Sequence, residues 1–235
     1  MKKYLMESAN AIGISLSDRQ LEQFSIFYEH LIETNKSLNL TAITEMHEVV
    51  IKHFVDSIAV TKYVDLSGKK VIDIGTGAGF PGIPLAILLP DTQFTLMDSL
   101  NKRLHFIEQV KEMCGIANVE TVHSRAEDLG QNPAYREQYD FCVSRAVAAL
   151  PVLLEYCIPF VKKGGMFISY KSEMMDEEIK QSENAQKILK CKLKETYSFT
   201  LPESEYYRTF AVFEKTDILQ KKYPRQAGKP KRNPL

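Results

Sequence analysis

The chain has 235 residues, 44% of them hydrophobic, with 30 basic and 30 acidic side chains and a formal net charge of zero. That length and apolar fraction suit one α/β domain with a full core and room for a small additional element. No run approaches the length that spans a membrane, and Met1–Glu7 lacks the apolar stretch of a secretory leader, so neither a membrane-embedded nor an exported protein is expected. Cys114, Cys142, Cys157 and Cys191 form no close pairs and lie in or beside apolar segments, which predicts buried free thiols and a reducing cytoplasm. The five histidines show no ligand spacing, so no metal is expected.

Residues 1–69 read as a helical extension. Ser17-Asp18-Arg19-Gln20 is a capping-box pattern, and Leu21, Phe24, Tyr28, Leu31 and Ile32 follow at helical spacing. A turn is predicted around Lys36–Leu40 and a second helix from about Glu45 to Tyr63. Residues 70–219 alternate strands with helices. Strands are predicted at 70–74, 93–97, 119–122, 139–144, 165–170, 192–198 and 209–215, and helices at 82–89, 101–113, 147–161 and 175–189. Gly115 stands where a helix end needs a left-handed residue. Alternation of this kind predicts a parallel sheet with helices on both faces. Only about ten residues separate the last two strands, too few for a parallel crossover, so an antiparallel hairpin is predicted there. Seven strands ending in a hairpin resemble the Rossmann-type methyltransferases.

The most informative stretch is 71–84, where an apolar run ends in Asp73 and opens into a turn with glycines at 75, 77 and 79. Such glycines allow a tight turn and close backbone approach to a ligand. Asp98 ends the next apolar run, 23 residues after Gly75, at the usual reach of a carboxylate that takes a ribose diol. Gly77, Gly79 and Gly82 also satisfy a dinucleotide-binding spacing, but that match starts late after the strand. Counted from Gly75, the third glycine is replaced by Phe80, which would crowd a pyrophosphate yet wall a pocket for a thioether or an adenine. The acidic residue, three glycines and later aspartate together resemble an S-adenosylmethionine site.

Ligands of such sheets bind outside the carboxyl ends of the strands, which singles out four short segments. Ala126 and Glu127 stand where a backbone amide and a carboxylate read an adenine edge, although Glu127 serves equally well as a first-turn acid. Asp98 is assigned to the ribose, against the alternative of a helix cap. Asp73 is compatible with a structural carboxylate satisfied by turn amides. Arg145 ends the fourth strand and is a candidate to position a donor carboxylate, a phosphate or the acceptor base. No Asn-Pro-Pro-Tyr-type segment follows that strand, and no cysteine pair suits pyrimidine chemistry. An acceptor atom that already carries an exposed lone pair is therefore favoured.

Residues 220–235 hold Lys221, Lys222, Arg225, Lys229, Lys231 and Arg232 and no acid. Removing those six from the 30 basic residues leaves 24 against 30 acidic ones in the rest of the chain. A basic tail on a mildly acidic body suggests contact with RNA phosphates. A disordered tail is one alternative, and a tail folded back through Tyr223, Pro224 and Arg225 is another. Its prolines predict an extended, helix-free segment.

Taken together, Asn39-Leu40-Thr41, His53-x-x-Asp56-Ser57, the run from Asp73 to Pro84, Leu96-Met-Asp-Ser-x-x-Lys-Arg, Ser124-Arg-Ala-Glu, Ser144-Arg-Ala, Lys171 and Tyr223-Pro-Arg-Gln-Ala-Gly-Lys-Pro resemble the bacterial small-subunit ribosomal RNA guanine-N7 methyltransferase family, once named glucose-inhibited division protein B. The resemblance covers nearly the whole chain. It implies S-adenosylmethionine as cofactor and methyl transfer to N7 of a guanine in the decoding-region loop of 16S RNA. It also implies cofactor contacts at Gly75, Phe80, Ala126, Glu127 and Arg145, to which the turn adds Gly77. Lys171-Ser172 departs from the Lys-Gly of many members. The expected partner is 16S RNA in the small subunit or an assembly intermediate, and a monomer is expected. A nicotinamide-dependent oxidoreductase and a non-catalytic RNA-binding assembly factor are the competing classes, and intact Asp73, glycines and Asp98 count against the latter.

Overall fold

The computed structural model describes residues 1–172 and 175–235. Helix α1 spans Lys2–Ala11 and α2 Asp18–Leu38. The capping box forms as predicted, with Gln20 N donating to Ser17 Oγ at 3.3 Å and Ser17 N donating to Gln20 Oε1 at 2.9 Å. Left-handed Asn39 ends α2. The second predicted helix is interrupted: α3 (Met46–Val49) passes into a π-helical stretch at Val50–Val55, then α4 (Asp56–Ile58) and a 3-10 turn at Ala59–Lys62.

From there strands and helices alternate. In chain order come β1 (Lys70–Ile74), α5 (Gly82–Leu88), β2 (Gln93–Asp98), α6 (Asn101–Cys114), β3 (Val119–His123), α7 (Ala126–Leu129), β4 (Tyr139–Arg145) and α8 (Leu150–Cys157). They are followed by β5 (Val161–Lys171), α9 (Asp176–Gln181), α10 (Glu183–Ile188), β6 (Cys191–Thr200), β7 (Tyr207–Lys215) and α11 (Lys229–Arg232). The seven strands form one sheet in the order β3-β2-β1-β4-β5-β7-β6. The first five pair in parallel, and β7 runs antiparallel to both β5 and β6, as the short connection required. Gly115 takes the left-handed conformation that ends α6. Helix α11 corrects the expectation of a helix-free tail: Pro230 occupies an early position of that turn, where a missing N–H costs nothing.

Strand alternation sorts the core into two layers. Val71, Phe94, Val143 and Ile168 face the layer covered by α1, α2 and α6, whereas Ile72, Ile74, Cys142 and Phe167 face the layer under α8 and α10. All four cysteines are buried free thiols. The N-terminal helices join the first layer through a cluster of aromatic rings. Phe27 of α2 is fully buried, with ring centroids 5.5 Å from Phe54, 5.2 Å from Phe80 in the glycine turn and 6.2 Å from Phe106 in α6.

One side chain thus couples the extension, the ligand turn and the sheet layer. Replacing a buried Phe by Ala costs about 3–5 kcal/mol. Phe27→Ala is expected to lower the free energy of unfolding by that amount in a denaturant titration; a loss below about 1 kcal/mol would show that the extension packs independently of the turn.

Candidate functional site

Four of the five parallel strands end together at Ile74, Asp98, His123 and Arg145. The turn after β1 closes across to β2: Gly75 N and Thr76 N both donate to Met97 O, at 2.9 and 3.0 Å. Gly77 N donates to Asp98 Oδ2 at 2.9 Å. Gly77 has φ +62, and a Cβ there would meet nothing nearer than Gly75 O at 4.0 Å, so its backbone conformation is what calls for glycine. Gly82 is required by contact instead. A Cβ there would lie 2.9 Å from Asp73 Oδ2, the oxygen that accepts from Gly82 N at 3.0 Å. The third glycine of the apparent dinucleotide spacing therefore serves to seat α5 on β1.

Asp73 is fully buried, and its other oxygen has no hydrogen-bond partner among the described residues. Burial pushes its carboxyl up to about 7. Between the unfolded value near 3.8 and that figure, the folded protein holds a proton that the unfolded chain has released. This contribution to stability is present at low pH and lost as pH rises through about 7. Between about pH 4 and pH 8, Asp73→Asn is expected to flatten the fall of stability with pH. Parallel pH curves for the two proteins would refute the assignment.

Above the strand ends lies a cavity of about 560 Å³, within the range of small-molecule sites. Gly75, Gly77, Phe80, Asp98, Ala126 and Glu127 all line it, and so does Arg145. Asp98 takes Leu100 N on Oδ1 at 2.9 Å and, besides Gly77 N, Arg103 Nη1 on Oδ2 at 3.3 Å. It is thus both a local cap and a cavity carboxylate. An ionised carboxylate offers about four lone-pair sites, so one remains for a hydroxyl donor. Glu127 is also nearly buried, and its Oε1 accepts from Gly228 N at 2.8 Å.

At the other end of the cavity, Arg145 is engaged by the N-terminal extension. Its Nη1 donates to Asp56 Oδ2 at 2.7 Å and to Lys52 O at 3.0 Å, and its Nη2 donates to His53 Nδ1 at 3.2 Å. The guanidinium lies 5.2 Å from the Phe80 ring centroid, and His53 stacks on the same ring at 4.5 Å. Arg208 donates to the second oxygen of Asp56 at 2.8 Å. Burial, aided by the Arg145 charge, pushes His53 down to about 3, so its imidazole is neutral at ordinary pH. His53 and Asp56 stood in the motifs quoted above without an assigned role. Arg208, 152 residues from Asp56, carried no signal at all.

The tail folds back onto the domain. Arg225 forms a two-pronged pair with Glu155, Nε to Oε1 at 2.9 Å and Nη2 to Oε2 at 2.6 Å, and Arg225 N also donates to Oε1 at 2.8 Å. Arg136 donates to Tyr223 O at 2.6 Å and to Leu219 O at 3.1 Å, and Gln131 donates to Pro224 O at 2.7 Å. Tyr223 is buried, while Gly228 and Lys231 line the cavity. Arg225 is therefore an internal anchor, which corrects its expected place among phosphate-gripping residues. Lys221, Lys222, Lys229, Lys231 and Arg232 are exposed.

Breaking a buried ion pair from one side costs about 3–5 kcal/mol, because the partner charge is left uncompensated. Glu155→Ala is expected to destabilise the protein by that order and to speed tryptic cleavage after Lys221 and Lys222. Unchanged cleavage would show that the tail is held without this pair.

A sequence profile described as rRNA small subunit methyltransferase G matches residues 20–207. The chain is 45% identical over 235 residues to "Ribosomal RNA small subunit methyltransferase G" of Acetivibrio thermocellus, covering all of this chain and 97% of that protein. It is 48% identical to the protein of the same name in Desulfitobacterium hafniense, covering 95% of this chain and 93% of the other. Among solved structures, a SAM dependent methyltransferase from Aquifex aeolicus superposes with a TM-score of 0.54 at 17% identity, over 77% of this chain and 97% of that one. With the profile spanning most of the chain and these relatives nearly all of it, the chain belongs to the rRNA small subunit methyltransferase G family.

Proposed function

We propose that this protein transfers a methyl group from S-adenosylmethionine to N7 of a guanine in the 16S RNA of the small ribosomal subunit, in the cytoplasm. The observation that carries the reading is the cavity at the strand ends, with the glycine turn locked to Asp98 on one side and Phe80 and Arg145 on the other. The residues fit the cofactor's chemistry. Asp98 supplies an acceptor for a ribose diol, Ala126 and Glu127 bracket the space for an adenine edge, and Phe80 offers an aromatic wall. Bound there, S-adenosylmethionine supplies an electrophilic methyl on a sulfonium.

The protein's own part is positioning. Guanine N7 carries a lone pair and no proton, so the new nitrogen–carbon bond forms as the sulfur–carbon bond breaks, with its electron pair returning to sulfur and no base required. Neutral His53 fits a site that moves no proton. Asp56 holds the Arg145 guanidinium and offsets part of its charge, the same carboxylate also serving Arg208. Alignment and exclusion of water then supply the rate, up to about 7–11 kcal/mol at the upper end. Lys221, Lys222, Lys229, Lys231 and Arg232 surround the tail with exposed positive charge that suits RNA phosphates.

The decisive experiment is labelled methyl transfer to small subunits from cells lacking the protein, with the modified base mapped. Label at N7 of one 16S guanine is expected. No transfer, together with saturable binding of a nicotinamide cofactor, would replace this reading by the oxidoreductase one. Asp98→Asn leaves one acceptor oxygen where Leu100 N and Gly77 N each use one, and it removes the charge-assisted bond to the diol. It is expected to weaken cofactor binding by about 1.5–3 kcal/mol in calorimetry. An unchanged dissociation constant would remove Asp98 from the ribose.

A further inference from the structure

Thr41 is held more firmly than a half-buried residue between α2 and α3 requires. Asn35 clamps its backbone from both sides: Asn35 Nδ2 donates to Thr41 O and Thr41 N donates to Asn35 Oδ1, each at 2.9 Å. The hydroxyl oxygen accepts from Ile43 N at 3.1 Å and lies 2.9 Å from His53 Nε2. The sense of that last bond follows from its neighbours. A guanidinium only donates, so Arg145 Nη2 makes His53 Nδ1 the acceptor, and the single proton of the neutral ring sits on Nε2. Nε2–H therefore donates to Thr41 Oγ1. Both lone pairs of that oxygen are then taken, so its O–H is what it has left to offer a ligand, and Thr41 lines the cavity.

Strand order indicates which end of the cavity this is. Glu127 follows β3 and Asp98 ends β2, so the adenosine half of the cofactor belongs on that side. The reacting end falls toward β1 and β4, where Thr41, His53, Phe80 and Arg145 meet. Guanine carries two acceptors side by side on its reacting edge, N7 and O6, whereas adenine places an amino donor where guanine has O6. A hydroxyl confined to donating pairs with the first and opposes the second. Resting on the guanine-N7 reading above, we propose that Thr41 Oγ1 donates to O6 of the target guanine as a specificity-determining contact. Asn35, Ile43 and the His53–Arg145 pair orient it.

The test uses reconstituted small subunits whose 16S RNA is spliced to carry guanine, inosine or 2-aminopurine at the mapped acceptor position. Inosine keeps O6 and N7; 2-aminopurine keeps N7 and lacks O6. The wild-type protein is expected to act similarly on guanine and inosine and to lose roughly tenfold in kcat/KM on 2-aminopurine. Thr41→Val should lose roughly tenfold on guanine and show no further loss on 2-aminopurine, while Thr41→Ser keeps the wild-type profile. Cofactor affinity should not change. Losses that simply multiply would overturn the contact, as would a raised cofactor dissociation constant in Thr41→Val, which would mean that the hydroxyl serves the cofactor's carboxylate. If Thr41→Val does not fold, the wild-type comparison decides alone, because indifference to O6 overturns the proposal. Methylation that never appears at guanine N7 would instead overturn the functional reading on which it rests.

Discussion

The site depends on one buried carboxylate. Asp56 is 2% exposed, and its two oxygens are divided between Arg145 at the end of β4 and Arg208 near the start of β7. Those arginines come from different strands, and the carboxylate comes from the N-terminal segment. The ion cluster therefore fixes α4 over the carboxyl ends of the sheet. A lone charge at that depth would cost several kcal/mol, so none of the three groups is replaceable singly. Everything on that side of the cavity follows from it: the His53 tautomer, the stacking of His53 on Phe80 and the orientation of Thr41. Stacked aromatic rings and the ion cluster together make the helical extension part of the site.

Asp73 and Asp98 show how two aspartates on neighbouring strands acquire different roles. Asp73 points into the layer between β1 and α5, where burial raises its affinity for a proton and a single amide serves it. Asp98 sits one strand over, accepts from two amides and a guanidinium, and opens on the cavity. Depth along the strand and the number of donors separate the structural carboxylate from the ligand-facing one. Both occur near glycines, so the acidic residue next to a glycine turn is by itself an ambiguous sign.

Much of the fold was legible because its causes are local. Capping at Ser17, the left-handed stop at Gly115, the apolar runs of β1 and β4 and the short link before β7 are decided by a few adjacent residues. The glycine turn and its partner Asp98 were legible because a strand-turn-helix unit has nearly fixed length. The tail was misread as helix-free and Arg225 as an RNA ligand because their partners lie far away in sequence. Glu155 is 70 residues from Arg225, Arg136 is 87 from Tyr223 and Glu127 is 101 from Gly228. A cluster of basic residues looks the same in sequence whether its charges face solvent or a buried acid. The π-helical stretch at Val50–Val55 likewise escaped, since it preserves the apolar pattern of an ordinary helix while shifting where His53 and Asp56 point.

The return of residues 220–235 to the mouth of the cavity has a bearing on how the molecule is made. The glycine turn, Asp98 and Arg145 all leave the ribosome's exit tunnel before the segment that supplies Gly228 and Lys231 to the wall. Until that segment arrives, the pocket lacks this part of its wall. The wall closes only when Arg225 reaches Glu155, after the other site residues have emerged. A nascent chain stalled short of that point carries the ligand-facing carboxylates without their cover. Maturation of the binding site is thus coupled to the arrival of residues 220–235, the last of the segments that build it.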